Sequence, residues 1–336
     1  MFDTMNRFGR DGIPFLFIAD FDGANPVVIP LADVDPRRIL YSVNGRGNYR
    51  PVHDAEPSGY RFIAHPVSFE HYRTAFDIVQ NEMRAGNTFL LNLTFPTEIE
   101  TDLTLRDIFM HAKAPYRLLY EDRFTVFSPE RFVRIENGTI RSFPMKGTID
   151  RSRPDARNAI LNDEKESAEH ITIVDLIRND LSRVASDVRV ERYRYIDEVH
   201  AGGKIILQVS TEIAGTLRGG YMGRIGDILR ELLPAGSVTG APKPKTVEII
   251  RRAEGYRRGY YTGVFGVFDG RNLDSGVMIR FIERDGDKMI FKSGGGVTVY
   301  SSPEAEYNEM TEKVYVPFSG IGAGIERSSA ERGISS

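Results

Sequence analysis

The chain has 336 residues, of which 41% are hydrophobic and 27% are charged, and this composition excludes disordered, collagen-like and coiled-coil classes. Its 44 Lys and Arg side chains against 47 Asp and Glu give a net charge of -3, so no basic field indicates nucleic acid or an anionic membrane as the partner. Cysteine is absent, which excludes disulfides, thiolate zinc sites and a thiol nucleophile.

The sequence predicts a cytoplasmic protein with one domain and a tail. No window approaches the ~20 apolar residues of a membrane span, and the first residues lack a signal-peptide pattern. No linker or repeat divides residues 1–318, so we interpret them as a single catalytic domain. Residues 319–336 are small, polar and without periodicity, and we expect a flexible tail there.

The elements alternate in blocks along the chain. Residues 1–67 form a short β-rich part, where the runs 14–21 and 39–43 before turn signals predict a small β-meander. The core, 68–318, opens with a helix that begins at Ser68 and ends at Gly86. Strand-like runs follow at 89–95, 117–120, 124–127, 131–135 and 140–144, with hairpin turns between several of them. Helices at 163–184, 223–233 and 244–253, strands within 260–293 and a helix from Ser302 complete an α+β pattern.

Two helices present acidic pairs. Glu166 and Glu169 lie three residues apart and therefore share one helix face, and so do Glu306 and Glu309. If the two faces meet across a cleft, only a divalent cation makes four carboxylates favourable together, and an all-oxygen site suits Mg²⁺. The alternative is two solvated helix faces.

Lys146 stands at the end of a strand-like run, just before Gly147. Such a lysine could be an amine nucleophile or a general base if its neighbours lower its pKa, or an edge lysine that prevents aggregation. Two glycine-rich turns, 234–243 and 293–296, expose backbone N–H groups that can bind carboxylates or phosphates. Neither turn has Walker A or GxGxxG spacing.

The sequence resembles the chorismate-utilising enzymes, a family that includes anthranilate synthase component I, aminodeoxychorismate synthase component I, isochorismate synthase and salicylate synthase. The resemblance covers about residues 68–315, through DEKESAEH (163–170), VDLIRNDLSRV (174–184), LPAGSVTGAPKPKTVEII (233–250), RGYYTG (258–263) and GGGVTVYSSPEAEYNEMTEK (294–313). It implies two antiparallel β-sheets flanked by helices, with the active site between them.

The resemblance also implies a role for each matching residue. Glu169 and Glu309 correspond to direct Mg²⁺ ligands, with Glu166 and Glu306 nearby through water, and the metal binds a carboxylate of chorismate. The other matches are Tyr261 and Arg280 for the enolpyruvyl carboxylate, the backbone of Gly294, Gly295 and Gly296 for a carboxylate, Glu130 as the acid that protonates the departing C4 hydroxyl, and Lys313 as a substrate-side lysine.

Within the family, Lys146 favours aminodeoxychorismate synthase component I, also called para-aminobenzoate synthase component I. That subfamily carries lysine in its Pro-x-Lys-Gly-Thr motif, where the amine attacks C2 of chorismate, whereas anthranilate synthases usually have alanine. We expect nearby cations to disfavour the charged form of Lys146. The lysine that activates water in isochorismate and salicylate synthases is missing from the strand at 87–93.

The resemblance and the missing cysteine predict the partners. A separate glutamine amidotransferase supplies ammonia, and a separate lyase converts the product to 4-aminobenzoate for folate biosynthesis. The alternatives are anthranilate synthase component I and a catalytically silent chorismate-binding subunit. Leu207 stands where many relatives have histidine, and Met310 stands where threonine is usual. We expect Gln208 to point to the opposite face of its strand from that histidine position.

Overall fold

A computed structural model gives the structure of the protein and describes residues 1–50, 57, 59–201, 204–318 and 326–327. The predicted tail at 319–336 lies outside the described residues, except for 326–327. The helices of the described chain are α1 Phe2–Arg10, α2 Phe69–Arg84, α3 Leu105–His111, α4 Ala156–Asn162, α5 Glu164–Ser182, α6 Ile225–Leu232, α7 Lys243–Glu254 and α8 Pro303–Glu312.

Strands form the larger part of the fold. They are β1 Phe15–Ala19, β2 Val27–Pro30, β3 Ile39–Val43, β4 Arg46–Gly47, β5 Phe62–His65, β6 Leu90–Thr101, β7 Tyr116–Tyr120, β8 Phe124–Ser128, β9 Arg131–Glu136, β10 Thr139–Ser142, β11 Met145–Asp150, β12 Ala185–Ala201, β13 Lys204–Leu217, β14 Gly240–Ala241, β15 Val264–Phe268, β16 Leu273–Val277, β17 Phe281–Asp285, β18 Lys288–Val297 and β19 Glu326–Arg327.

The described strands form two sheets. The first has the order β11-β13-β10-β9-β16-β15-β1-β2, with β12 also paired to β13. The second has the order β19-β5-β6-β18-β17-β8-β7-β3-β4, with β14 also paired to β6. Pairing is antiparallel throughout except between β19 and β5. The prediction of an α+β fold with two antiparallel sheets flanked by helices is confirmed.

Apolar side chains alternate between two sides of the first sheet. In β1, Leu16 and Ile18 pack between the sheets with residues of β3, β7 and β8. Phe15 and Phe17 point to the opposite side, into a core shared with α1, α5 and α6. This period of two is what a strand buried on both faces requires. The second sheet is covered by α3 at one end and by α2, α7 and α8 at the other.

Local signals place the helices that flank the site. The Ser68 side chain accepts a hydrogen bond from the His71 amide, and the Ser302 side chain accepts one from the Ala305 amide, so each serine is a helix N-cap. Both helix starts were predicted from these serines. The helix α3, which was not predicted, has a capping box between Thr104 and Asp107. No helix of the described chain has the length and apolar character to cross a bilayer.

The prediction of a β-meander at the N-terminus is wrong. The chain opens with α1, and the strands that follow form two separate hairpins, β1 with β2 in the first sheet and β3 with β4 in the second, so no continuous meander forms. The helix α1 packs on α6 at very short backbone distance. A Cβ added at Gly9 would lie 2.0 Å from the Met222 carbonyl oxygen, and one at Gly226 would lie 2.0 Å from the Phe2 carbonyl oxygen. Glycine is therefore required on both helices at this crossing.

Two further boundaries differ from the prediction. Lys146 lies near the start of β11, a strand separate from β10, and not at the end of one run. The triplet Gly294–Gly296 is not a turn after a strand, because it continues β18 and pairs with Thr94, Leu93 and Asn92 of β6.

Asn6 supplies the N-cap of α6 from another helix, and this contact gives a stability prediction. Its Oδ1 accepts hydrogen bonds from the Gly226 amide at 2.8 Å and the Asp227 amide at 3.2 Å. We expect Asn6→Ala to lower the free energy of unfolding by about 1 kcal/mol, measured by urea denaturation. Asn158→Ala, which removes an exposed local contact, is the control and should change little. Equal effects of the two substitutions would contradict the capping role.

Candidate active site

A cavity of about 860 Å³ lies where the two sheets, α5 and α8 meet. Its size is in the range of small-molecule sites. Every predicted site residue lines this one cavity, from four parts of the fold: Glu130, Lys146 and Tyr261 from the first sheet and its loops; Glu166 and Glu169 from α5; Arg280, Gly294, Gly295 and Gly296 from the second sheet and its loops; Glu306, Glu309 and Lys313 from α8 and its end. The structure thus brings them together, while their individual roles stay predictions.

Lys146 is bound to one of the predicted metal ligands. Its Nζ donates a hydrogen bond to Glu169 Oε2 at 2.7 Å, and only 8% of the Glu169 side chain is exposed. Burial disfavours the ammonium, but the carboxylates of Glu169, Glu166 and Glu309 outweigh it and raise the pKa of Lys146. The sequence analysis expected the charged form of Lys146 to be disfavoured, and this expectation is wrong for the side chains present, because the neighbouring carboxylates favour the ammonium.

The acidic pairs face one another across the cavity. Glu309 of α8 acts electrostatically on both Lys146 and Glu166. Burial raises the pKa of Glu166, the charge of Lys146 opposes this rise, and the negative charges of Glu169 and Glu309 add to it. Glu306 is buried with 4% of its surface exposed. This excess of negative charge is the condition that a bound cation relieves.

Lysines partly neutralise these carboxylates. Lys313 Nζ lies 2.6 Å from Glu309 Oε1 and donates a hydrogen bond to the Gly294 carbonyl oxygen at 2.9 Å. Among the described residues, no three acidic or imidazole side chains lie close enough to form a ready-made metal site. The donor set is nevertheless all oxygen and rich in carboxylates, so its chemistry fits Mg²⁺.

The glycines of β18 leave room for charged side chains. A Cβ on Gly295 would lie 3.4 Å from Glu306 Oε2 and 3.6 Å from Glu309 Oε1. A Cβ on Gly296 would lie 3.2 Å from Lys146 Nζ. A methyl group at Gly295 would be in ordinary contact with the two carboxylates, whereas one at Gly296 would crowd the Lys146 amine, which would have to shift by a few tenths of an ångström.

Glu130 is held by the glycine-rich segment that precedes α7. The Ser237 hydroxyl donates a short hydrogen bond to Glu130 Oε1. Burial raises the pKa of Glu130, although the Ser237 bond and the charges of Lys146 and Lys313 oppose the shift. A carboxyl group whose pKa is raised in this way retains a proton more readily and can donate it.

Tyr261 and Arg280 form another part of the wall. Tyr261 is buried, and burial raises its pKa. Arg280 has a left-handed backbone, with φ of 53°, and its guanidinium donates to the Lys313 carbonyl oxygen at 2.9 Å. The guanidinium also lies 5.1 Å from the centre of the Tyr315 ring. The arginine is thus fixed in place with a charged head on the cavity.

Some cavity residues had no role in the sequence interpretation. Ser237 was noted only as part of a motif, and Asn92 and Lys292 were not considered. The alternation of Leu207 and Gln208 was predicted correctly, but it is Gln208 that lines the cavity, whereas Leu207 is buried with 3% exposed. A polar residue inside the apolar run 205–209 was the signal that could have identified Gln208.

Comparison with known proteins shows the family. Residues 36–319 match the model of the chorismate binding enzyme family, and the chain therefore belongs to it. An uncharacterized PabA-like protein of Haemophilus influenzae is 48% identical over 95% of this chain and 96% of its own length. Anthranilate synthase component 1 of Archaeoglobus fulgidus is 32% identical over 85% of this chain and 72% of its own. Aminodeoxychorismate synthase component 1 of Bacillus subtilis is 30% identical over 75% of this chain and 56% of its own length.

A solved structure has the same fold. Anthranilate synthase component I from Streptococcus pneumoniae superposes with a TM-score of 0.65 and 25% sequence identity, covering 78% of this chain and 60% of that one. Family and fold agree on a chorismate-converting class of enzyme.

Glu130 gives a prediction on stability and pH. Because the folded protein binds the Glu130 proton more tightly than the unfolded chain does, the free energy of unfolding falls as pH rises from about 4.3 through the raised pKa. Glu130→Gln removes this ionisation and keeps an oxygen for Ser237. We expect the variant to melt at a higher temperature than the wild type near neutral pH, and at a similar temperature near about pH 4.

Differential scanning calorimetry across this pH range measures the effect. Glu70→Gln, at an exposed position on α2, is the matched control and should leave the pH dependence of melting unchanged. A wild type and a Glu130→Gln variant with equal melting temperatures at every pH would show that burial does not disfavour the Glu130 carboxylate.

Proposed function

We propose that the protein is aminodeoxychorismate synthase component I, which replaces the C4 hydroxyl of chorismate by an amino group. The observation that carries this proposal is the position of Lys146, whose amine lies in the cavity beside the carboxylates of α5 and α8. The family match supports chorismate as the substrate. The likeness to aminodeoxychorismate synthase component 1 supports the particular reaction.

Lys146 and Glu130 carry the chemical steps in this proposal. The Lys146 amine adds to C2 of chorismate, both ring double bonds shift by one position, and the C4–O bond breaks as the hydroxyl departs as water with a proton from Glu130. Ammonia then adds at C4, the double bonds shift back, and the lysine leaves C2. Lys146 must lose its proton before it attacks, because an ammonium has no electron pair to donate. Glu169, at 2.7 Å, is an acceptor within reach of that proton.

The remaining cavity residues bind and orient the substrate. Tyr261 and Arg280 would hold the enolpyruvyl carboxylate of chorismate. The backbone of Gly294–Gly296 would bind a carboxylate, and the Lys313 side chain would face the substrate. Glu169 and Glu309 would ligate Mg²⁺, with Glu166 and Glu306 through water. When bound, Mg²⁺ would supply positive charge for the ring carboxylate of chorismate.

Two partners follow from the proposed reaction. The sequence has no cysteine for a thiol-dependent glutaminase, so a separate glutamine amidotransferase would deliver ammonia. A separate lyase would convert the product to 4-aminobenzoate on the way to folate. Anthranilate synthase component I is the second candidate, because relatives with that activity are equally similar. Lysine instead of alanine at position 146 favours the first candidate.

Substitution of Lys146 tests the covalent route. We expect Lys146→Ala to lower turnover of chorismate with ammonium and Mg²⁺ by about a hundredfold or more, because the nucleophile is lost. Mass spectrometry of the products, with added lyase to report 4-aminobenzoate, distinguishes amination at C4 from anthranilate and isochorismate formation. Lys245→Ala, at an exposed lysine of α7, is the control and should keep wild-type turnover.

The products decide between the candidates. Anthranilate from the wild type would replace the proposed activity by that of anthranilate synthase. Chorismate binding without turnover in calorimetry would indicate a silent subunit. Wild-type turnover by Lys146→Ala would exclude the lysine as the nucleophile.

The proposed metal site gives a separate prediction. We expect a chelator to abolish turnover and added Mg²⁺ to restore it. Glu169→Gln and Glu309→Gln should each raise the Mg²⁺ concentration needed for half-maximal turnover by about tenfold or more. Glu304→Gln, on the same helix as Glu309 but outside the cavity, is the control. Turnover that persists in the chelator would contradict the Mg²⁺ proposal and leave the lysine proposal intact.

A further inference from the structure

Arg258 lies behind the cavity wall as a fully buried cation. Only 2% of the residue is exposed. It follows α7 and pairs with Glu254 four residues earlier, through hydrogen bonds from Nε to Oε2 at 2.9 Å and from Nη2 to Oε1 at 2.6 Å. Glu254 also accepts hydrogen bonds from the Thr94 amide and hydroxyl, both at 2.9 Å. The ion pair is thus neutralised and anchored to β6, as burial requires.

The remaining donors of the guanidinium reach three separate segments. Nη2 donates to the Asn92 carbonyl oxygen at 2.6 Å, and Nη1 donates to the Val238 carbonyl oxygen at 2.8 Å and to the Thr262 hydroxyl at 3.3 Å. With the two bonds to Glu254, all five N–H donors of an arginine have acceptors. Asn92 and Val238 line the cavity, and Thr262 follows the cavity residue Tyr261.

The backbone of Arg258 adds two contacts to the same wall. Its carbonyl oxygen accepts from the Tyr261 amide at 3.2 Å and from Lys292 Nζ at 3.0 Å. Thr262 has a left-handed backbone with φ of 60°, which a β-branched residue adopts only where its surroundings impose it. The Thr262 hydroxyl, which Arg258 contacts, donates in turn to the Tyr261 carbonyl oxygen at 2.6 Å.

We infer that Arg258 is a positioning residue for chorismate: it fixes the spacing between β6, the segment that carries Ser237, and the turn that presents Tyr261. The inference rests on the proposed use of the cavity for chorismate. A planar guanidinium can satisfy acceptors in several fixed directions at once, whereas a lysine ammonium offers three donors from one atom. A positive charge at position 258 is therefore not sufficient to hold the three segments, and the planar guanidinium is needed.

The test is the kinetics of Arg258→Lys, which keeps the charge beside Glu254. We expect the KM for chorismate to rise by about tenfold or more, because small displacements of a substrate wall are costly. The Mg²⁺ concentration for half-maximal turnover should stay within about twofold of wild type, since the described hydrogen bonds of Arg258 lead to segments other than α5 and α8. Consumption of chorismate is followed directly, so the result holds whichever product forms.

A second pair of variants covers failure of Arg258→Lys to fold. Thr262→Val keeps the shape of the side chain and removes the hydroxyl, and we expect it to raise the KM for chorismate. Thr262→Ser keeps the hydroxyl and should restore a KM near the wild-type value. Leu229→Ala, in the core beneath α1 and outside the cavity, is the control for lost stability and should leave both constants unchanged.

The outcomes separate the inference from the proposed function. A wild type that neither binds nor consumes chorismate would overturn the proposed function. An active wild type with unchanged KM in folded Arg258→Lys would overturn the positioning role. Equal shifts of the chorismate and Mg²⁺ constants would do the same, because they would indicate a general loss of structure. If Arg258→Lys does not fold, an unchanged KM in Thr262→Val overturns it.

Discussion

The candidate site depends on the compensation of charge within one cavity. Glu166 and Glu169 of α5 and Glu306 and Glu309 of α8 line one cavity, and carboxylates at this density repel. The fold meets this constraint with two lysines, one from a strand and one from the end of α8 itself. Lys146 of β11 pairs with Glu169, and Lys313 at the end of α8 pairs with Glu309. The four carboxylates can therefore share one cavity without a large electrostatic cost.

Arg258 is a third cation near the cavity, but it lies buried behind the residues that line it. Lys146 and Lys313 are partly exposed, at 25% and 29% of their side chains. Arg258 is buried with every donor used, so it holds a single geometry. The site thus combines two partly exposed cations that line the cavity with one buried cation that holds the backbone. This division follows the difference between an ammonium on a flexible stem and a planar guanidinium.

Much of the fold could be predicted from local signals, and the failures have local causes. The caps at Ser68 and Ser302 identified α2 and α8, and apolar runs identified most strands. The helix α1 was missed because no side chain caps its start, and its stability comes from packing on α6. The Gly294–Gly296 triplet looks like a turn in sequence. It is a strand because its backbone pairs with residues 92–94 of β6, a long-range contact that the local sequence does not show.

The site was predictable as a set of residues but not as a set of contacts. Motif spacing brought Glu169, Glu309 and Lys146 to attention, and the cavity contains them all. The raised pKa of Lys146 was missed because it depends on which carboxylate lies nearest, and periodicity does not give that. The alternation of Leu207 and Gln208 was predicted, but the side of β13 that faces the cavity was not. Alternation shows only that neighbouring side chains point to opposite sides of a strand, and which side faces the cavity depends on how the strand packs in the fold.

The crossing of α1 and α6 has a consequence for how such sequences diverge. Gly9 and Gly226 each face a carbonyl oxygen of the other segment, so neither position accepts a side chain while α1 is docked. The two glycines and the Asn6 cap all act through the docked α1, so we expect a substitution at one of them to change the effect of a substitution at another. A lineage that lost the first helix would be released from glycine at position 226, and its α6 would need a cap of its own.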